Sequence, residues 1–179
     1  MVPGIDLVDL NDPLLKKREK NALRLITNPD DEFVDHSDFW YLWTAKEAVF
    51  KYHRELTNFT PKEIPIKLQR INNQVLFASK QIEGYFKVTN DVIVAICHGE
   101  SEDTDFQLIT CEDKHQSEKI RRKLEEYLIE TYELDCKIIS DGDGLPILSS
   151  TGQSVSFTHH FHHMAFAFDK KELIKSLPH

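Results

Sequence analysis

Phe39-Trp40-Tyr41-Leu42-Trp43-Thr44-Ala45-Lys46-Glu47-Ala48-Val49-Phe50-Lys51 is the stretch whose reading decides the fold. It holds both tryptophans and contains neither Gly nor Pro, so its composition suits a helix. Only Lys46, Glu47 and Lys51 charge an otherwise largely apolar run. Glu47 and Lys51 stand four apart and share a helix face. Two readings follow. The commoner is a surface ion pair, with Thr44-x-x-Glu47 acting as a capping box. The sharper is a site. The pair by itself favours the first.

The totals narrow the classes. A chain of 179 residues suits one domain spanning residues 1–179, or two small halves sharing a core. Hydrophobic residues make 40% and charged residues 29%, ordinary values for a globular protein. A net charge of -8 argues against general nucleic-acid binding, though a local basic patch remains compatible with it. Cys97, Cys111 and Cys136 are odd in number and lack C-x-x-C spacing, so they read as reduced thiols. No apolar run approaches a membrane span, and Met1-Val2-Pro3-Gly4 lacks a signal-peptide pattern. The expectation is a soluble, cytoplasmic protein.

Outward from the central stretch, Ser37 or Asp38 is expected to cap a helix running from residue 39 to about residue 56. Before it, Ile5-Asp6-Leu7-Val8-Asp9-Leu10 reads as a strand. Asp6 lies between apolar neighbours, which points to an exposed strand end unless a partner pays the desolvation cost. Pro13 starts an amphipathic helix through about residue 26, with Lys16, Lys17, Arg18, Lys20 and Arg24 on its polar face. That cluster is either a solvated face or a docking face for an acidic partner.

After the central stretch, residues 64–97 read as β, with strands near 64–68, 75–77, 84–88 and 92–97. A further strand is expected at 106–110 and a helix at 116–134, where Ile120, Leu124, Leu128 and Ile129 recur on one face. A short strand at 136–139 precedes the turn Asp141-Gly142-Asp143-Gly144-Leu145-Pro146. Strands are expected at 155–159 and 164–168, and a short amphipathic helix at 170–177. No internal repeat is visible in the sequence.

Three weak motifs make a chemical set. Asp6 and Glu47 are two carboxylates, few enough protein ligands to suit Mg²⁺, which keeps waters and takes oxygens from a substrate phosphate. Lys51 beside them can hold a phosphate or accept a proton. Thr158 and His159 offer a hydroxyl and an imidazole to further phosphate oxygens. Such a set fits phosphoryl-type transfer on a diphosphate, where positioning and charge neutralisation do most of the work.

The same residues carry a resemblance. Gly4-Ile5-Asp6-Leu7-Val8-Asp9 resembles the G-I-D-[IL]-V-E opening of acyl carrier protein synthases. Trp43-Thr44-Ala45-Lys46-Glu47-Ala48-Val49-Phe50-Lys51 resembles the [FW]-x-x-K-E-A-x-x-K signature of the 4′-phosphopantetheinyl transferase superfamily. Ser156-Phe157-Thr158-His159 resembles its [SN]-[IL]-[ST]-H strand. The order of the three is that of the acyl carrier protein synthase branch. The resemblance implies an α+β fold, with an antiparallel sheet packed against a long central helix and an enlarged middle segment. It implies transfer of the 4′-phosphopantetheine arm of coenzyme A to a carrier-protein serine, releasing 3′,5′-ADP. By position, Asp6 and Glu47 would hold Mg²⁺. Lys51 would contact the phosphates or assist deprotonation, with Lys46 a second basic candidate. Thr158 and His159 would bind the nucleotide end of coenzyme A. The basic helix from Lys16 to Arg24 would dock an acidic apo carrier protein, for which an acyl carrier protein of fatty acid biosynthesis is the branch's acceptor.

The sequence also departs from that pattern. Leu145 stands where the family's G-K-P turn has Lys, and Asp9 where it has Glu. The segment between Lys51 and Ser156 is much longer than in the short synthases, which are trimers with the site between subunits. That leaves a homotrimer and a monomer both open. Two rivals remain: a non-catalytic relative that only docks carriers, which the retained Asp6, Glu47 and Lys51 argue against, and a zinc protein built on His159, His160, His162 and His163.

Overall fold

The computed structural model describes residues 3–53, 58–98, 103–112 and 115–177, leaving aside the side chains of residues 16–21. The first strand, β1 (Gly4–Asp9), is buried along its whole length. Helix α1 (Leu15–Ile26) follows, then α2 (Phe39–His53), which carries the aromatic stretch. The expected extension of α2 to about residue 56 lies outside the described residues. Asp35, not Ser37 or Asp38, caps the short turn that enters α2, accepting from Ser37 N at 2.7 Å. Asp38 is instead buried, accepting from Val34 N and pairing with Arg70. Thr44 is no cap either: its hydroxyl donates to Trp40 O at 2.8 Å, inside the helix.

Four strands follow: β2 (Lys67–Ile71), β3 (Gln74–Ser79), β4 (Ile82–Thr89) and β5 (Val92–His98). With β1 they form an antiparallel sheet in the order β1-β5-β4-β3-β2. The β2–β3 hairpin turns on Asn72 and Asn73, both with positive φ, as a two-residue turn of this hand requires. Strand β2 starts later than the sequence suggests. Residues 64–66 are taken up elsewhere: Ile64 O accepts from Lys46, and Ile66 N donates to Asp31.

The rest of the chain is β6 (Thr104–Thr110), α3 (Gln116–Tyr132), β7 (Ile138–Ser140), β8 (Pro146–Leu148), β9 (Ser156–His160), β10 (His163–Asp169) and α4 (Lys170–Ser176). Strand β8 falls where the sequence suggests only a turn. Sheet order is β6-β10-β9, with β7 and β8 a separate pair. An Ile147–Ser154 bridge and a Val155 N to Pro146 O hydrogen bond tie β8 to the entry of β9.

The second half therefore repeats the first. Strand, helix and four strands occur twice, as β1-α2-β2-β3-β4-β5 and β6-α3-β7-β8-β9-β10. The closing hairpins match in detail: each turns on two residues, and Asn90 and Phe161, first in each turn, share φ 52. So the fold holds a repeat that residue identities hide.

Alternation along the strands builds the layers. Val8, Ile93, Ala95 and Cys97 face α2, while Ile5, Leu7, Val92, Val94 and Ile96 face the other way. Met164, Phe166 and Phe168 of β10 face the α3 core, while Ala165 and Ala167 join Ile5 and Leu7. Each half is a helix on a sheet, and the two sheets meet through their helix-free faces. No helix among the described residues is long and apolar enough to cross a membrane.

One buried ion pair fixes α2. Lys46 Nζ lies 2.9 Å from Asp31 Oδ1 and 2.5 Å from Ile64 O, with neither charged side chain exposed. Asp31 also accepts from Asn28 N and Ile66 N. Lys46→Ala strands that carboxylate, and about 3–5 kcal/mol of stability should be lost. Lys46→Met with Asp31→Asn should lose clearly less. Urea unfolding of the two variants checks this; equal losses would contradict it.

Candidate active site

Because side chains alternate, Asp6 projects from β1 to the same side as Val8, toward α2. There its Oδ1 accepts from Lys51 Nζ at 2.7 Å and from Thr158 Oγ1 at 2.8 Å. Lys51 Nζ also donates to Ile5 O at 3.2 Å and lies 3.9 Å from Glu47 Oε2. Asp6 is 4% exposed, so the exposed strand end suggested by the sequence is replaced by a buried carboxylate with partners. Without the ammonium and the hydroxyl, burying it would cost several kcal/mol.

Gly4 makes this approach possible. A Cβ there would overlap the Ala48 carbonyl and stand 2.7 Å from Cys97 Sγ. Any side chain would push α2 off β1 and carry Glu47 and Lys51 away from Asp6.

Glu47 is half-buried, and its pKa is raised to about 7. Burial is the main cause, followed by the charge of Asp6 and a hydrogen bond with it; Lys51 and Trp43 pull the other way. Two carboxylates close enough to share a proton are a strained pair that a divalent cation relieves. The donor set fits Mg²⁺ in kind: hard carboxylate oxygens, few enough that such an ion would take its other ligands from water and substrate. Among the described residues no group of three or more His, Cys, Asp or Glu is arranged to hold a metal.

The other expected site residues are spread out. Thr158 joins Asp6, but His159 projects from the opposite face of β9, is exposed, and places Nε2 3.4 Å from Ser117 Oγ at the start of α3. Lys46 does not join this cluster; its ammonium is committed to Asp31 and Ile64 O, and burial lowers its pKa. Leu145 is half-buried in a turn closed by Asp141 Oδ1. Of the basic face of α1, Arg24 is exposed, while the side chains of Lys16, Lys17, Arg18 and Lys20 lie outside the described residues. The histidine run divides among separate partners: His163 Nδ1 meets Asp9 Oδ2 at 2.8 Å, His160 Nε2 faces Asp12 Oδ2 at 3.4 Å, and His162 packs on Phe161.

Sequence reasoning missed the Ile5 carbonyl, Trp43 and Ser156, whose Oγ accepts from Ile5 N at 3.3 Å. For Ser156 a signal existed: period-2 alternation puts it on the same strand face as Thr158.

The cluster draws an acidic pair, a lysine and a hydroxyl from β1, α2 and β9, and comparison with known proteins gives the chain a family. A family model described as the 4′-phosphopantetheinyl transferase superfamily matches residues 3–97. No curated protein and no solved structure matches the chain significantly. The match spans more than half of the chain and takes in Asp6, Glu47 and Lys51, so the chain belongs to the 4′-phosphopantetheinyl transferase superfamily. Membership implies phosphopantetheinyl transfer to a carrier protein.

The raised pKa of Glu47 has a consequence for stability. An ordinary glutamate loses its proton near 4.5, whereas the folded protein holds this one up to about 7. Between those values the folded state binds more protons than the unfolded, so stability falls as pH rises. In buffer free of divalent cations, the melting temperature should drop from pH 5 to pH 8 more steeply for the native protein than for Glu47→Gln. Parallel pH profiles would remove Glu47 as the cause.

Proposed function

We propose that the chain is a Mg²⁺-dependent transferase of the acyl carrier protein synthase type. It moves 4′-phosphopantetheine from coenzyme A to a serine of an acidic apo carrier protein and releases 3′,5′-ADP. The observation that carries this reading is the meeting of Asp6, Lys51 and Thr158 within hydrogen-bond distance, with Glu47 beside them.

In this reading Asp6 and Glu47 hold Mg²⁺, which supplies charge neutralisation at the diphosphate of coenzyme A. Lys51 is kept in place by Asp6 and by the Ile5 carbonyl, so its charge points at the transferring phosphoryl group without a search through rotamers. The serine hydroxyl gives up its proton to water, its oxygen forms the new bond to phosphorus, and the bond from that phosphorus to the 3′,5′-ADP oxygen breaks. Thr158 orients Asp6, and exposed His159 is free to meet the nucleotide end. Exposed Arg24 belongs to the face on which an acidic carrier docks. The residues between Lys51 and Ser156 complete the first half and begin the second, so β9 stands where a short synthase needs a neighbouring subunit. The site then needs no second chain, and a monomer suffices.

Incubating apo carrier proteins with coenzyme A, Mg²⁺ and this protein should add the mass of the arm to one serine. No mass gain across several carriers would leave the docking-only relative as the reading. Glu47→Gln should lower the rate at least about a hundredfold with the protein still folded, and Lys51→Ala, which also strands the buried Asp6 carboxylate, should lower the rate as much and the melting temperature with it. Full activity in either variant would take that residue out of the site.

A further inference from the structure

Three side chains on one face of β9 reach the free edge of β1. Ser156 Oγ accepts from Ile5 N at 3.3 Å, Thr158 Oγ1 donates to Asp6 Oδ1 at 2.8 Å, and His160 Nδ1 accepts from Asp9 N at 3.2 Å. Strand β1 pairs with β5 alone, so the N–H groups of its outer edge have no strand to answer them. Ser156 and His160 answer those of Ile5 and Asp9, and Thr158 between them meets the Asp6 carboxylate, while Phe157 packs into the α3 core and His159 lies beside α3. Backbone N–H groups this deep are costly to leave unpaired. Ile5 and Asp9 are 0% and 1% exposed.

The geometry points to Ser156 and His160 as positioning residues for Asp6. They fix where β1 lies along β9, one on each side of Thr158, and so set the Asp6 carboxylate between Thr158 Oγ1 and Lys51 Nζ. This rests on the reading of Asp6 as a site residue. An error of an ångström in β1 moves the carboxylate off both partners, and errors of that size are expensive in group transfer. From the same side Ala165 and Ala167 of β10 pack on Ile5 and Leu7 without direction, and His163 Nδ1 meets Asp9 Oδ2 at the far end.

His160 has a defined chemistry in this role. Its Nδ1 receives a backbone N–H and so carries no proton, while Nε2 faces the Asp12 carboxylate and carries it. An asparagine at 160 sets its carbonyl oxygen near the place of Nδ1. A glutamine sets its carbonyl oxygen one bond further out. The two amides therefore separate a geometric acceptor from a merely polar residue.

The test is amide hydrogen exchange in the full chain, read beside transfer kinetics and a calorimetric Mg²⁺ titration. Ser156→Ala should speed exchange at Ile5, and His160→Ala at Asp9, each about tenfold, the worth of one hydrogen bond. Each should lower kcat about tenfold with KM for coenzyme A nearly unchanged, since ground-state binding is not what they support. Each should also weaken Mg²⁺ binding in the titration. His160→Asn should restore slow exchange, Mg²⁺ affinity and kcat together, and His160→Gln should restore none of them. Unchanged exchange at Asp9 in His160→Ala would overturn the proposal. So would faster exchange with undiminished kcat and Mg²⁺ affinity, or equal rescue by Asn and Gln. A native protein without transfer activity would sink the transferase reading alone, because the exchange and Mg²⁺ measurements still judge the positioning claim.

Discussion

A carboxylate sealed between three elements is the constraint on which the arrangement depends. Asp6 comes from β1, its cation from α2 and its hydroxyl donor from β9. Remove any one of these and a buried charge is left short of partners, at a cost comparable to a large part of a domain's net stability. Position and chemistry are thus tied together. The contacts that keep Asp6 satisfied in the folded chain are those that hold Lys51 and Thr158 in place. Gly4 belongs to the same constraint, since the approach of β1 to α2 leaves no space for a Cβ.

Much of this was legible in the residues, and the parts that were not share a cause. The strands β1, β5 and β10, and the helices, follow from periodicity, which is a local property. Glu47 and Lys51 share a face by spacing alone. What spacing cannot give is the partner across the chain. Asp6 read as a strand end because nothing local could pay for burying it; the payment comes from Lys51, 45 residues away, and Thr158, 152 away. Lys46 read as a second working lysine because it sits beside Glu47, yet its neighbour across space is Asp31. Strand β8 escaped notice because it is three residues long, begins on the last residue of a turn signal and pairs with β7 and the entry to β9.

The family match ends where the first run of strand, helix and four strands ends. The first half contributes Asp6, Glu47 and Lys51, and the second contributes Thr158 and His159. Superposing the hairpins by register sets Asp6 opposite Gln107 and Thr158 opposite Lys87. Neither half carries the other's site residues at the matching strand positions. The family model covers the half that carries the acidic pair.

The outer edge of β1 also bears on how the chain is made. Strand β1 leaves the ribosome before α2 and β5, and once these have followed the first sheet can close. The strand that covers its other edge, β9, begins more than 150 positions later. Until then β1 presents open N–H groups and a half-satisfied carboxylate, the features by which sheets recruit the wrong partners. Contacts of such sequence separation form slowly. The nascent protein therefore passes through a stage in which Asp6 and Lys51 can meet but Thr158 is still missing, and the Asp6 cluster is complete only once β9 has been added.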